Sequence, residues 1–220
     1  MHSVILPCYN GALYLEECVL SVLSQISTKD ELIIIDDGST DESSRIIERF
    51  EDHRIRLIHR DKNGGIGEAR NDGLRIATGR YINFIDADDY WPKGRYKSLE
   101  ALIKKHQYPD VISGKVEHFY SPEIDPKRLA HFKLPPIQDA SLPGSVVISN
   151  ELIQKIGYFD TSLKGGEFVD LMAKILHEKS SWIKSEDIFL LRRIHLSNYT
   201  LNKKQMNDSY LTVIKKHLKR

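Results

Sequence analysis

Two cysteines are all that 220 residues contain. Cys8 and Cys18 lack metal-ligand spacing, so neither a zinc site nor a disulfide framework is expected, and reduced thiols fit a cytoplasmic protein. No apolar run approaches the length of a membrane span. Met1-His2-Ser3 passes straight into Val4-Ile5-Leu6 with no basic stretch and no cleavage site, so no secretory leader is expected. The 32 Lys and Arg against 31 Asp and Glu leave a net charge of +1, too weak a field to draw the chain to nucleic acid. Internal repeats and low-complexity tracts are missing as well. The apolar share of 40% and charged share of 29% suit a globular chain long enough to bury one sizeable α/β core.

Short apolar runs alternate with helical periodicity along the first half. Val4-Ile5-Leu6 reads as a buried strand ended by Pro7, followed by turn chemistry through Gly11. Leu15, Cys18, Val19, Val22 and Leu23 then recur at the helical period. Residues 32–35 form a second strand that runs into Asp36-Asp37-Gly38-Ser39. Ser39 and Glu42 have capping-box spacing for a helix to about residue 50. A third strand spans 55–58, the glycines of Asn63-Gly64-Gly65 precede a helix over 69–77, and Tyr81-Ile82-Asn83-Phe84-Ile85 is a fourth strand. This alternation predicts an α/β domain with a mostly parallel central sheet and helices on both faces. Right-handed crossovers bring the strand C-termini to one edge, where Tyr9-Asn10, Asp36-Asp37 and Asp86 to Asp88 all fall.

The second half predicts helices over 95–106, 150–156, 168–176 and 206–220, and strands over 111–116, 145–148 and 188–194. Asn150 reads as the cap of its helix. Residues 121–139, rich in proline, read as a long loop. The last helix carries Leu211, Ile214 and Leu218 on one face and Lys215, Lys216, Lys219 and Arg220 elsewhere. Such a basic helix suits either solvent or an anionic membrane surface.

Asp86, Asp88 and Asp89 crowd three carboxylates into four residues at the end of a strand. They repel one another unless a cation neutralises them, and hard oxygen donors suit Mg2+ or Mn2+ shared with a substrate phosphate. A calcium loop of the EF-hand type would need glycine at its sixth position, where Trp91 stands. The glycines at 64, 65 and 67 are followed by no Gly-Lys-Ser/Thr, and they lie too late in the chain for a dinucleotide fingerprint. Pro7-Cys8-Tyr9-Asn10-Gly11 also lacks the Gly-rich, Arg- and Lys-bearing loop that a sugar-phosphate nucleotidyltransferase needs after its first strand.

Four pieces, in this order, carry a resemblance that spans most of the chain. They are Ser3-Val4-Ile5-Leu6-Pro7-Cys8-Tyr9-Asn10, Ile35-Asp36-Asp37-Gly38-Ser39-Thr40-Asp41, Asn63-Gly64-Gly65 with Ala69-Arg70-Asn71, and Asp86-Ala87-Asp88-Asp89. Together they resemble the family 2 glycosyltransferases of GT-A fold. More loosely, Gly157-Tyr158-Phe159-Asp160 with Gly166-Glu167 is similar to that family's acceptor-side segment, and Arg193-x-His195 with Asn198 to its late basic motif. The resemblance implies a nucleotide-sugar donor, most often a UDP-sugar, and transfer with inversion at the anomeric carbon. It implies one domain, with a donor half (1–92), an acceptor-side half (93–205) and the basic helix (206–220).

It also implies roles. Pro7 and Tyr9 would shape the nucleotide pocket, although a core tyrosine is the plainer reading of Tyr9. Asp37, with Asp36 beside it, would accept from uracil N3–H. Arg70 would contact the nucleotide or a phosphate, with a surface ion pair as the alternative. Asp88, with Asp86 and His195, would hold Mn2+ or Mg2+ on the diphosphate. Strand alternation puts Arg193 on the face of His195, so Arg193 would be the phosphate partner. Glu167 is preferred as general base, with Asp170 one turn on as the alternative, because the usual Glu-Asp pair is here Glu167-Phe168. A non-catalytic sugar-nucleotide binder stays open. The acceptor would be a saccharide, a lipid-linked sugar or a peptide, at a subsite that is small or shared with a second copy of the chain in a homodimer.

Overall fold

The computed structural model describes residues 1–124, 135–163, 165–196, 198 and 203–218, the last with side chains over 207–217. The first half alternates strictly: β1 (His2–Cys8), α1 (Leu15–Leu23), β2 (Glu31–Asp36), α2 (Ser43–Glu48), β3 (Ile55–His59), α3 (Ile66–Ile76) and β4 (Tyr81–Phe84). The second half comprises α4 (Arg95–Lys105), β5 (Val111–Tyr120), β6 (Ile137–Asp139), β7 (Val146–Ser149), α5 (Asn150–Ile156), α6 (Glu167–His177), β8 (Trp182–Ile194) and α7 (Lys203–Leu218).

One mixed sheet takes all eight of these strands, in the order β3-β2-β1-β4-β7-β5-β6, with β8 on the other edge of β5. β1 pairs in parallel with β2 and with β4, and β2 with β3. β7 then runs antiparallel between β4 and β5, and β8 runs parallel to β5. The expected α/β architecture is therefore present. Strands β1, β2 and β4 are buried along their whole length, which is why they read as unbroken apolar runs.

Alternate residues of these strands feed cores on opposite faces. Ile5, Ile33, Ile35, Ile82 and Phe84 pack with Leu74 of α3 and with Phe168 and Leu171 of α6. Val4, Leu6, Leu32 and Ile34 pack with Leu15, Cys18, Val19 and Val22 of α1. Each fully buried Leu or Ile contributes about 1.5–3 kcal/mol. Gly73 lets α3 lie close on the sheet, since a Cβ there would stand 2.6 Å from Ile5 Cγ2 and 3.0 Å from Ile35 Cδ1.

Several boundaries depart from expectation. β1 continues through Pro7 to Cys8. The Ile5 carbonyl accepts from Ile85 N and the Cys8 carbonyl from Asp37 N, so the missing N–H of Pro7 falls on the β4 side, where β4 has already ended. The capping box of Ser39 and Glu42 does not form. Helix α2 starts at Ser43 without a side-chain cap, because Ser39 Oγ accepts from Asn10 N instead. Ser149, not Asn150, caps α5 through Leu152 N. Part of the expected loop over 121–139 is the strand β6 on β5, and residues 125–134 of it lie outside the described residues. In α7, Val213 is the buried residue, whereas Leu211 and Ile214 are about half exposed. Leu218, Lys219 and Arg220 lie outside the described side chains. Among the described residues no helix is long and apolar enough to cross a membrane.

Candidate active site

Because β1, β2 and β4 are parallel neighbours, the residues that follow them emerge at one edge of the sheet. The chain leaves β1 for β2 on one side and reaches β4 on the other, the kind of position where open α/β sheets hold ligands. Asp86 to Asp89 follow β4 at that edge, as Tyr9 follows β1 and Asp37 follows β2.

Arg70 and Asp86 form the inner part of the site. Arg70, on α3, is only 2% exposed. Its guanidinium lies 5.9 Å from the Phe84 ring centre and 5.5 Å from that of Phe159. Nη2 donates to Asp86 Oδ1 at 2.7 Å, and Nη1 to Glu167 Oε1 at 3.4 Å. The surface ion pair that spacing allowed for Arg70 is thus replaced by a buried bridge between two carboxylates. Glu167 opens α6, where the helix N-terminus favours its negative charge. Its Oε2 is buried and has no hydrogen-bond partner among the described residues. Asn71 fastens the acceptor-side segment to α3: its side chain donates to the Phe159 carbonyl at 3.0 Å and accepts from Phe159 N at 2.9 Å.

Asp88 faces the end of β8. Its Oδ2 lies 2.8 Å from His195 Nε2 and accepts from Asn198 Nδ2 at 3.2 Å. The two residues expected to share a metal or diphosphate therefore meet. Arg193 does not reach into the site as a free phosphate partner. Its Nε donates to the Asp88 carbonyl at 3.0 Å, its backbone N donates to Asp89 Oδ1 at 2.9 Å, and its Nη2 pairs with Glu17. The guanidinium stacks 4.4 Å from the Tyr14 ring centre and 4.7 Å from that of Phe119. Arg193 thus braces the turn that carries Asp88. Asp89 is buried, and burial, then the neighbouring Asp88 and Asp86, push its carboxyl well above the usual carboxylate range.

Asp37 is buried too. Its Oδ1 accepts from Gly64 N at 2.9 Å and lies 3.0 Å from Arg60 Nε, and its Oδ2 accepts from Gly65 N at 2.8 Å. It holds the glycine loop against the sheet edge, with acceptor capacity left on Oδ2. Asp36, expected beside the donor, is turned into the following loop instead. Its oxygens accept from Ser39 N and Ser44 Oγ, with His59 Nδ1 at 3.3 Å. Burial raises its pKa, but the hydrogen bonds from Ser39 and Ser44 outweigh it and hold the carboxyl below its ordinary value. Tyr9 is 51% exposed, so it is no core tyrosine and its ring is available at the edge. Pro7 is buried in β1 below it.

Asp170 is fully buried and closed off by two lysines and a histidine. Its Oδ1 lies 2.9 Å from His217 Nε2 and 2.6 Å from Lys216 Nζ, and its Oδ2 lies 3.2 Å from Lys174 Nζ. Burial raises its pKa, but Lys216, His217 and Lys174 hold it below the ordinary aspartate value. No sequence pattern announced Tyr14, Glu17, Arg60, Lys216 or His217 as neighbours of these carboxylates. Only the fold brings them there.

Among the described residues no three His, Cys, Asp or Glu side chains converge as a ready metal cage. The pair Asp88 and His195, with Asp86 close by in sequence, nonetheless fits a Mg2+ or Mn2+ ion. Such ions keep few protein ligands and take the rest from substrate phosphates and water.

The pattern of Glycosyl transferase family 2 matches residues 3–164, well over half of the chain, and the chain belongs to that family. It is 36% identical over 119 residues to the glycosyltransferase GlyG of Streptococcus pneumoniae, covering 53% of this chain and 39% of GlyG. It is 30% identical over 210 residues to an uncharacterized glycosyltransferase of Rickettsia prowazekii, covering 90% of this chain and 65% of that protein. The chain therefore spans between about a third and two thirds of the length of such relatives. Among solved structures, S. aureus TarS in complex with UDP-GlcNAc superposes with a TM-score of 0.73 at 23% identity, covering 91% of this chain and 60% of that one. A mannosyltransferase from Pyrobaculum calidifontis in complex with GDP-Man and Mn2+ gives 0.73 at 21% identity, covering 100% and 64%. At these identities the likeness establishes the shared fold.

Proposed function

We propose that this chain transfers a sugar from a nucleoside-diphosphate sugar, with UDP as the nucleotide, to an acceptor hydroxyl with inversion at the anomeric carbon. The observation that carries this reading is Arg70 lying between Asp86, at the strand end, and Glu167, at the head of α6. It sets a donor station and an unpartnered carboxylate oxygen side by side. Family membership and the nucleotide-sugar complexes of the structural neighbours support the donor class.

In this reading Tyr9 packs on the base, and Asp37 fixes the glycine loop while accepting from uracil N3–H. Asp88 and His195, with Asp86, would hold a Mn2+ or Mg2+ ion, which when bound supplies a Lewis acid to the diphosphate. Glu167 Oε2 takes the proton of the acceptor hydroxyl as its oxygen attacks the anomeric carbon. The bond from that carbon to the diphosphate oxygen breaks, and the nucleotide leaves. Asp170 is left out of the chemistry, because Lys216, His217 and Lys174 already occupy it.

Titration calorimetry with UDP tests the donor station. Asp88→Ala is expected to abolish the Mn2+-dependent part of UDP binding together with transfer. Undiminished affinity in the presence of Mn2+ would remove Asp88 from the metal site. Glu167→Gln is expected to keep UDP binding and lose turnover. The opposite pattern, an active Glu167→Gln beside an inactive Asp170→Asn, would transfer the base role to Asp170.

A further inference from the structure

Helix α7 touches the head of α6 at Asp170 and Gly166, the segment before it at Asp160, and the end of α6 at His177. A fully buried carboxylate is costly unless it is paired and hydrogen-bonded, and α7 supplies two partners for Asp170, the Lys216 ammonium at 2.6 Å and the His217 ring at 2.9 Å. The His217 ring is in turn stacked on that of His177, with centres 5.8 Å apart. Lys216 Nζ also donates to Asp160 Oδ2 at 2.7 Å, at the end of the segment that Asn71 holds against α3. Finally, Val213 is buried against Gly166. Gly166 has φ +78°, and a Cβ on it would stand 3.2 Å from Val213 Cγ2 and 3.5 Å from the Ser209 carbonyl oxygen. Only glycine gives α7 this approach in that conformation. The residue after Gly166 is Glu167.

We infer that Lys216 and His217 are positioning residues for Glu167, acting through Asp170 and the first turn of α6. The inference rests on Glu167 being the base of the proposed transfer. Asp170 sits one turn beyond Glu167 on the same helix, so its neutralisation and the abutment at Gly166 fix where that turn begins. With the turn fixed, Glu167 Oε1 meets Arg70 and Oε2 stays without a hydrogen-bond partner among the described residues. If Lys216 and His217 are replaced by apolar residues, Asp170 keeps only Lys174 at 3.2 Å and is under-compensated beside the base. Drawing the helix terminus toward water would relieve it, and would take Glu167 along.

The test uses the full chain, with UDP and Mn2+ for binding and release of UDP from a hydrolysed UDP-sugar for turnover. Lys216→Met with His217→Leu is expected to lower kcat about tenfold to a hundredfold, the scale of an ångström-level misplacement. The Kd for UDP is expected to stay within about twofold, as for a change that spares ground-state binding. Lys216→Arg should keep turnover. Adding Asp170→Asn to Lys216→Met should restore most of the lost kcat, because the buried charge is gone. An unchanged kcat in the double variant would overturn the inference. So would loss of UDP binding in parallel with kcat, or failure of Asp170→Asn to restore turnover. A fully active Glu167→Gln is a separate result: it removes the base assignment itself, whatever the α7 variants do.

Discussion

Arg70 keeps two negative groups within reach of one buried cation, and its geometry makes the outcome of changing it specific. A lysine keeps the charge but not the planar fork that lets separate nitrogens meet Asp86 and Glu167. Arg70→Lys is therefore expected to lower kcat by about an order of magnitude or more through the loosened carboxylates, while circular dichroism stays that of the parent. Normal turnover in that variant would show that the bridge is dispensable. Asp37→Ala belongs to the same scale. It leaves the amides of Gly64 and Gly65 without their acceptor, which costs about 1–3 kcal/mol where such groups stay buried. The urea midpoint should fall, and UDP affinity with it. Asp86 and Asp88 were legible because they crowd together at one strand end, although the partners of Asp88, His195 and Asn198, stand more than 100 residues away. Glu167 and Asp170 could not be separated that way. Their deciding partners stand far off, Arg70 at a separation of 97 residues and His217 at 47 from Asp170. Alternation implies that Arg193 and His195 share a face at the end of the chain's last strand, but it could not show that Tyr14 and Glu17 wait there for the guanidinium.

At the scale of elements, the strands were readable because β1, β2 and β4 are buried on both faces and carry no polar alternation to confuse the period. The additional length of β5 and β8 was not readable, since their outer halves are partly exposed and mixed in polarity. Two histidines of the same sheet link its stability to pH. His2, at the start of β1, is held below the ordinary histidine pKa, mainly by burial, and its hydrogen bond to Glu100 does not offset that. His118, on β5, is lowered to about 4 by burial and then by Arg192. Both folded-state values lie below the unfolded one, so the unfolded chain takes up protons first as pH falls. Their contribution to stability is full above about pH 6.5, the ordinary histidine value, and declines on acidification toward the folded values, whereas the raised carboxyl of Asp89 acts in the opposite sense. The lowered carboxyls of Asp30, Glu31 and Asp36 add a further loss below their ordinary range. Thermal melting from neutral pH down to about 4 should show Tm falling already between about 6.5 and 5. His2→Gln, which cannot titrate, should flatten the upper part of that slope. A Tm that is level over that interval would show that neither histidine governs the acid limb.

For the whole molecule, a donor panel is the decisive measurement. UDP-, GDP- and TDP-sugars offered with Mn2+ or Mg2+ are expected to give nucleotide release from UDP-sugars, with removal of the divalent ion by chelation stopping it. Release from none of them would favour a sugar-nucleotide binder without turnover. The division into a donor half and an acceptor-side half also takes on a mechanical meaning here. β4, from the first half, is hydrogen-bonded to β7, from the second, with Tyr81 opposite Ser149 and Asn83 opposite Val147. The boundary near residue 92 is therefore crossed by a continuous sheet, not by a linker. Among the described residues this ladder ties the segments on either side of that expected boundary into one sheet. Adjustment to a sugar and its acceptor is left to the loops along the sheet edge and to the seating of α6, while the strands beneath act as a fixed bed that loses its order as one unit.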